Sequence, residues 1–569
     1  VVYEDQELTY EELNHKANQL AHYLQEHGVK PDTLVAIAVE RSLEMIIGLL
    51  GILKSGGAYV PLDPDYPQER LQFMLQDTQA PILITDSQFI DKIPSTWTYV
   101  LCINELLKQI DDYPVTNLPN QTCHHHIAYI IYTSGSTGIP KGAGITHGSL
   151  THLILSQIIL FNITSSTHLL QFASLSFDAS VSEIFTTLFS GASLYIPSKK
   201  LLLDTSKFIQ TISHHSITTI TLPPNYLEHL HHSTSSNLVT LVTAGETLNK
   251  RILQSWQHTK ILINAYGTTE TTICTSTINY NESQYTIPLI GRPISNTQIY
   301  ILDSYMNLVP VGVGGEIYIG GVGLARGYLN RPDLTADRFI PNPFFSEEDL
   351  AALKQDQDIS KSLRLYRTGD LARYLPDGNI EFLGRIDEQV KIRGFRIELG
   401  EIEATLLKHT DVTQCVIIAR EDDPGQKYLV AYIVPREKLQ DSFTLDQFFT
   451  ASSGETFSTL SGEDLPNFID SLRTHLEISL PDYMIPRFFV ILNQIPLTPN
   501  GKIDRKSLPT PDPSLRQVGS TYVAPSTPIE QELASIWSDV LRLDQVGIHD
   551  NFFKIGGHSL LATQVISRI

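Results

Sequence analysis

Apolar residues fall at helical spacing from the first turn of the chain. Thr9 and Glu12 have the spacing of a capping box, Leu13, Ala17, Leu20 and Leu24 follow at three- and four-residue steps, and Gly28 closes the pattern, which predicts a helix. LVAIAV at 34–39 reads as a short buried strand, and Ser42 caps an apolar helical stretch over 43–54 that Gly56-Gly57 ends. Strand-like runs return at 82–85, 127–132, 168–172 and 192–196, with helical or loop segments between them. This alternation predicts α/β layering, parallel strands covered by helices. Beyond about residue 290 the pattern changes to short strands and glycine-rich turns, as in VGVGGEIYIGGVGLARGYL, which marks a β-rich subdomain. The stretches 341–362 and 451–465 are polar and aperiodic and read as surface insertions without a catalytic role. The expected architecture is a large multi-layer α/β N-terminal domain over 1–386 with a β-rich subdomain, and a small α+β C-terminal domain over 387–510. A Pro-, Ser- and Thr-rich linker follows at 511–528, and then an incomplete helical domain over 529–569.

Composition narrows the function. With 569 residues and 42% apolar content the chain is too long for one core and too polar for a membrane protein, and no apolar run approaches the roughly 20 residues that span a bilayer. The 41 basic against 62 acidic residues leave a formal charge of −21, which repels phosphate backbones and anionic lipid, so neither nucleic acid nor a membrane is an expected partner. An anionic substrate then needs positive charge or backbone N–H groups gathered locally. Cys102, Cys123, Cys274 and Cys415 form no C-x-x-C pair, and the first residues show no signal-peptide pattern; a reducing cytoplasm is expected. The run His124-His125-His126, with His214-His215 and His231-His232, has no matching carboxylate or cysteine spacing, so no metal centre is expected there.

YTSGSTGIPKG, 132–142, follows a predicted strand directly. Gly135, Gly138 and Gly142 permit close backbone approach, Thr133, Ser134, Ser136 and Thr137 offer hydroxyls, and Lys141 adds charge; together they can cradle phosphate oxygens. Ile139 and Pro140 break the G-x-x-x-x-G-K-[ST] spacing, so this is not a Walker-type loop.

This loop, with LKSGGAYVPLD (53–63), NAYGTTE (264–270), GEIYIGGVGLARGYL (315–329), YRTGD (366–370), GRIDEQVKIRGFRIELGEIE (384–403) and NGKIDR (500–505), resembles the adenylate-forming enzymes, and more closely the adenylation domains of nonribosomal peptide synthetases. The resemblance covers nearly the whole chain and implies attack of a carboxylate on the α-phosphorus of ATP with loss of pyrophosphate. That chemistry needs two anions positioned and charge neutralised. By resemblance Lys502 bridges the acyl carboxylate and α-phosphate, and Glu270 helps hold Mg2+, with Thr133 beside them in the catalytic set. The nucleotide would lie against Ser134, Gly135, Ser136, Thr137, Gly138, Lys141, Gly245, Glu246, Gly267, Thr268 and Phe382. Asn264, Ala265 and Tyr266 would take the adenine, an amide on its edge and a ring on its face. Asp370 would accept the ribose hydroxyls, and Arg385 would contact the ribose and phosphate side. Thr268 stands where the family usually has proline, which bears on the stiffness of that loop. Asp387 resembles the hinge on which the small domain rotates.

GGHSL places Ser559 as in the phosphopantetheine attachment site of peptidyl carrier domains, ahead of a helix with Leu560, Leu561, Val565, Ile566 and Ile569 on its apolar side. A phosphodiester there would meet the N-terminal N–H groups of that helix. Ten residues follow Ser559, which predicts a carrier short of its later helices. The family's acyl pocket matches Asp178, Ala179, Ser182, Asn225, Val242, Ala244, Ala265, Ile273 and Cys274. Asp178 would pair with an α-ammonium, and small apolar walls leave room for a Phe- or Tyr-sized side chain. The expected function is activation of an aromatic amino acid and its loading onto the arm, with neighbouring synthetase domains as partners. An aryl-propionic acid, a stand-alone acyl-CoA ligase and a non-catalytic scaffold are the alternatives.

Overall fold

Local chemistry starts the first helix where the sequence predicts it. Thr9 accepts the amide of Glu12 through Oγ1 at 3.2 Å while Glu12 returns a carboxylate to the amide of Thr9 at 2.8 Å, and the helix runs Tyr10–Glu26. Ser42 caps Leu43–Ser55 by accepting from the amide of Met45, and Gly56 at φ +96° ends it. The computed structural model describes residues 1–94, 98–135, 138–202, 204–227, 230, 237–256, 258–283, 285–346, 363–422, 427–511, 523–541, 543, 545–552, 555, 557 and 559–569.

The chain divides into two units, the first comprising Val1–Thr133, Pro140–Leu202 and Lys207–Asp387, the second built chiefly on Glu388–Ile569 with the loop Ser134–Ile139. Among the described residues of the first unit, one sheet takes the strands in the order Gly327–Tyr328, Lys141–Thr146, Ile127–Thr133, Ala58–Pro61, Leu34–Ala38, Ile82–Thr85, Tyr99–Cys102. A second sheet has as its centre Ile261–Tyr266, Thr240–Thr243, Thr219–Leu222, His168–Leu170 and Ser193–Ile196, all parallel. A third, antiparallel sheet holds Thr297–Leu302, Gly315–Gly321, Arg364–Tyr374 and Ile380–Arg385, the β-rich subdomain expected after residue 290. The helices Leu43–Ser55, His147–Leu160 and Ala179–Ser190 carry Ile46, Ile52, Ile154, Val181 and Ile184 into the core shared with these strands, so the sheets are buried on their inner faces.

In the second unit Val412–Arg420, Tyr428–Pro435 and Phe488–Ile491 form a sheet against the helices Leu399–Leu406 and Leu465–Glu477. One expectation fails here. Residues 451–465 are not a loose insertion: Thr456–Ser461 pairs with Thr444–Thr450, Phe457 opposite Phe449, and Phe457 and Ser458 are buried. The strand escapes a periodicity search because Ser458 and Thr459 are buried polar residues, and the amide of Ser458 is satisfied by the side chain of Asn493 at 2.8 Å. At the C-terminus the helices Pro528–Leu541 and Ser559–Arg568 share a small core of Val540, Phe552, Ile555 and Val565, with Trp537 edge-on to Phe552 at 5.0 Å. Leu561 and Val565, four residues apart, face that core, but Ile566 and Ile569 are exposed, so the apolar stripe is narrower than the sequence suggests. Residues 347–362 and the linker residues 512–522 lie outside the described residues.

Candidate active site

The parallel strands His168–Leu170, Thr219–Leu222, Thr240–Thr243 and Ile261–Tyr266 end on one edge of their sheet, and the segments leaving those ends carry most of the predicted site. Open α/β sheets bind ligands at that edge. Asp178 precedes the helix Ala179–Ser190, Asn225 lies on Pro224–Leu227, Ala244 and Gly245 follow Thr243, and Tyr266 ends its strand.

Two further groups brace the segment that leads to Asp178. Buried Glu183 accepts the amides of Phe172 and Ala173 at 3.1 and 3.0 Å, and Arg41 donates to the carbonyls of Gln171 and Ala173, both at 2.9 Å. Burial pushes the Glu183 carboxyl up to about 7 against these hydrogen bonds, and pulls the Arg41 guanidinium down to about 10.

Asp178 accepts the hydroxyl of Thr269 at 2.8 Å. The next residue, Glu270, is fully buried, accepts the Tyr328 hydroxyl at 2.8 Å and lies 3.8 Å from Lys141 Nζ, which itself sits 5.0 Å over the Tyr328 ring. Lys141 is therefore a buried partner of Glu270 and not an open cation at the loop. The strand end that precedes it leaves Thr133 Oγ1 buried with no partner among the described residues.

Tyr266 donates its hydroxyl to Asp370, whose other oxygen takes Arg385 Nη1; Arg385 also holds Asp387. Burial, then the Asp370 charge, raises the Tyr266 phenol well above its ordinary value, so it stays a donor. Phe382 lies 6.3 Å from the Tyr266 ring. Asn264 Nδ2 donates to the Leu289 carbonyl at 2.7 Å and its Oδ1 accepts from Thr243 at 3.0 Å, which fixes the plane of the amide and leaves a second N–H and a second lone pair beyond these partners. Thr268, in the place of a proline, exchanges hydrogen bonds with Thr271 at 3.0 and 3.3 Å, and these side chains stiffen the turn.

Gly267 has no room for a side chain: a Cβ there would lie 2.2 Å from the Ile273 carbonyl oxygen. The same turn holds Thr272 and Ile273 at φ +57° and +68°, a left-handed conformation that costs a β-branched residue about 1–3 kcal/mol. It presents Ile273 and buried Cys274 beside Ala265, with Val242 buried on the neighbouring strand and Ala179 half-buried on its helix. Ser182 is buried and donates to Gln157 at 2.6 Å.

In the second unit Ser134 donates to the Arg396 carbonyl at 2.9 Å and the Gly135 amide to Glu401 at 3.1 Å; Gly135 passes so close to the Ile139 carbonyl that a Cβ would lie 1.9 Å from it. Gly138 turns at φ +80°, while Ser136 and Thr137 lie outside the described residues. Lys502 is exposed at the tip of a tight turn, its backbone N–H on Thr498 Oγ1 at 3.2 Å and its carbonyl taking the Thr498 amide at 2.7 Å. The helix Ser559–Arg568 begins at Ser559; Gly556 and His558 lie outside the described residues.

Sequence reasoning missed Tyr328, although it lies in a quoted motif, and Gln157, whose only signal is a polar residue inside the apolar stretch LILSQIIL. It also missed that Cys123 Sγ comes within 3.2 Å of His126 Nδ1 and 3.3 Å of His125 Nε2. The backbone N–H of Cys123 already donates to that Nδ1 at 3.0 Å, which commits its lone pair. His231 and His232 lie outside the described residues.

A family model for AMP-binding enzymes matches residues 1–329, more than half of the 569. The chain belongs to the AMP-binding enzymes. The models for the AMP-binding enzyme C-terminal domain and for the phosphopantetheine attachment site match 401–502 and 531–569, so this family member also carries an attachment domain for a phosphopantetheine arm. Bacitracin synthase 3 of Bacillus licheniformis is 44% identical over 572 residues, all of this chain and 8% of that protein. Tyrocidine synthase 1 of Brevibacillus parabrevis is 43% identical over 574 residues, again all of this chain and 48% of that protein. The chain thus spans half or less of the length of these curated relatives. Among solved structures it is similar to holo-PA1221, an NRPS protein containing adenylation and PCP domains, with a TM-score of 0.77 at 26% identity over 99% of this chain and 88% of that one. AMP-binding enzymes are adenylate-forming ligases that use ATP and Mg2+. Among the described residues no helix is long and apolar enough to cross a membrane.

Proposed function

We propose that this AMP-binding enzyme activates an aromatic α-amino acid as its acyl-adenylate and loads it onto a phosphopantetheine arm carried by Ser559, as one module of a larger cytoplasmic peptide synthetase. The observation that carries the reading is the succession Thr269-Glu270. Thr269 holds Asp178, and its neighbour Glu270 is held by Tyr328 and faces Lys141. A carboxylate suited to an α-ammonium is thereby tied, one residue away, to a carboxylate suited to a hard cation.

The donor set fits the group it would hold. Glu270 offers a hard oxygen ligand for Mg2+, and Thr133 Oγ1, buried and unpartnered among the described residues, fits a phosphate oxygen. Bound there, Mg2+ would neutralise charge on the phosphate oxygens. Asp370 would accept the ribose hydroxyls, each of its oxygens keeping a lone pair beyond its present partner, and the Tyr266 ring would face the adenine. Asp178 would orient the amino acid so that a carboxylate oxygen attacks the α-phosphorus. A P–O bond forms, the bond to the bridging oxygen breaks, and pyrophosphate leaves. Lys502 would balance the two reacting anions. The arm would supply the thiol that takes the acyl group.

Pyrophosphate exchange into ATP, driven by phenylalanine or tyrosine, tests the reading. Lys502→Ala should lower exchange by about 10²-fold or more, while Ser559→Ala should leave exchange intact and remove covalent loading. Exchange indifferent to Lys502→Ala refutes the role of that lysine, and exchange with small aliphatic acids alone refutes the aromatic substrate.

A further inference from the structure

The segment 122–127 is pinned at both ends and along its length. Thr122 donates its amide and its hydroxyl to Asn120 Oδ1, both at 2.9 Å, and the Ile127 amide donates to Asp32 at 2.8 Å. Between them every carbonyl from Cys123 to His126 is taken. The His126 amide closes a turn onto the Cys123 carbonyl at 3.0 Å, Gly148 and His147 donate amides to the carbonyls of His124 and His126 at 2.8 and 2.9 Å, and Arg326 donates to that of His125. The turn decides where the side chains go. Adjacent histidines point apart on a strand or a helix. Across this turn Cys123, His125 and His126 converge instead, and one donor atom from each lies within 4.8 Å of the other two.

Cys123 Sγ stands 3.3 Å from His125 Nε2 and 3.2 Å from His126 Nδ1. Tetrahedral zinc, with bonds of about 2.3 Å to sulfur and about 2.0–2.1 Å to imidazole nitrogen, sets each sulfur–nitrogen pair about 3.6 Å apart. Side-chain rotation can bring the three donors onto one ion without moving the pinned backbone. The His126 Nδ1 lone pair now holds the Cys123 amide, and a metal bond would replace that hydrogen bond. Cys123 is exposed, so water can take the released amide.

The donor chemistry names the ion. One thiolate and two imidazoles suit a borderline-soft cation such as Zn2+, and not Mg2+ or Ca2+, which take oxygen ligands. Arg326, the cation beside the turn, is already paired with Asp32 through two bonds of 3.0 Å, and the whole chain carries −21, so the field favours a cation.

We propose that Cys123, His125 and His126 bind one Zn2+ with its fourth position open to solvent, at a site that shares no residue with the nucleotide and acyl groups. Binding forms one Zn–S and two Zn–N bonds, the Cys123 thiol gives its proton to solvent, and no electron changes hands. The ion ties down the turn that leads into the strand Ile127–Thr133.

The test uses the full chain, treated with a chelator and then titrated with Co2+ as a coloured stand-in for Zn2+. One equivalent should bind with a thiolate-to-cobalt charge-transfer band, which Zn2+ should bleach and excess Mg2+ should not. Cys123→Ser should remove the band, and His125→Ala and His126→Ala should each weaken binding by about tenfold or more. His124→Ala, which removes the neighbouring histidine outside the cluster, should change the affinity little. Alkylation of Cys123 by iodoacetamide, read by peptide mass spectrometry on the parent chain, needs no variant and should slow in Zn2+. The proposal is overturned by a band that is absent or survives Cys123→Ser, or by alkylation indifferent to Zn2+. Equal losses from His124→Ala and His125→Ala also overturn it, because they would mark an adventitious histidine tract.

Discussion

The guanidinium of Arg385 grips both oxygens of Asp387, through Nε at 2.6 Å and Nη2 at 2.7 Å, while Nη1 reaches Asp370. Two planar groups matched in this way fix each other's orientation, which a lysine ammonium cannot do. Asp370 is almost wholly buried and Arg385 nearly so. Arg385→Met should therefore cost about 3 kcal/mol by leaving a buried carboxylate without its cation. Arg385→Lys should recover part of that through its charge while leaving Asp387 loosely held. Urea unfolding of the three proteins gives the order, and equal midpoints for Arg385→Met and the parent would contradict it.

Lys141 and Glu270 form a second buried pair. Lys141→Met should destabilise by about 3 kcal/mol, and adding Glu270→Gln should give back part of that loss, because the uncompensated charge goes with it. A double-mutant cycle measures the coupling. Purely additive effects would show that the two side chains do not sense one another.

Glu183 gives stability a pH dependence of known sign. Its carboxyl is held at about 7 in the folded chain against an ordinary value of 4.5. Between those values the folded state binds the extra proton, so the contribution is complete below 4.5 and is lost as pH rises through 7. The full swing is about 3 kcal/mol. Glu183→Gln removes it, and the melting temperature of the parent, measured relative to that variant, should fall from about pH 5 to about pH 8. A difference that does not change with pH would mean that the group titrates normally.

What the sequence made legible was chemistry that closes within a few residues. Thr9 with Glu12, Ser42 with Met45 and the Gly56 stop each act over one helical turn, so spacing alone exposes them. Contacts between distant positions were not legible: Tyr328 and Glu270 are 58 residues apart, and only the sheets bring them together. The partners that orient Asn264 were hidden for the same reason, since Thr243 and Leu289 are 21 and 25 residues away. The strand Thr456–Ser461 hid behind buried Ser458 and Thr459; the Thr459 hydroxyl accepts the amide of Gln447 at 3.1 Å, a bond that a hydropathy pattern does not see.

Thr9 offers a small and local check. Thr9→Ala removes the side chain that accepts the Glu12 amide, and should cost about 1 kcal/mol. Amide exchange should quicken across the first turn of Tyr10–Glu26, with pyrophosphate exchange unchanged. Altered turnover would show that this helix end communicates with the chemistry.

The turn under Tyr266 also limits redesign. No side chain fits at Gly267, and Thr272 and Ile273 are held in a backbone shape that most replacements would resist. If the proposed acyl pocket holds, an engineer seeking a new acyl group would leave that turn alone and vary Ser182 and Asn225, whose backbones lie outside the left-handed region.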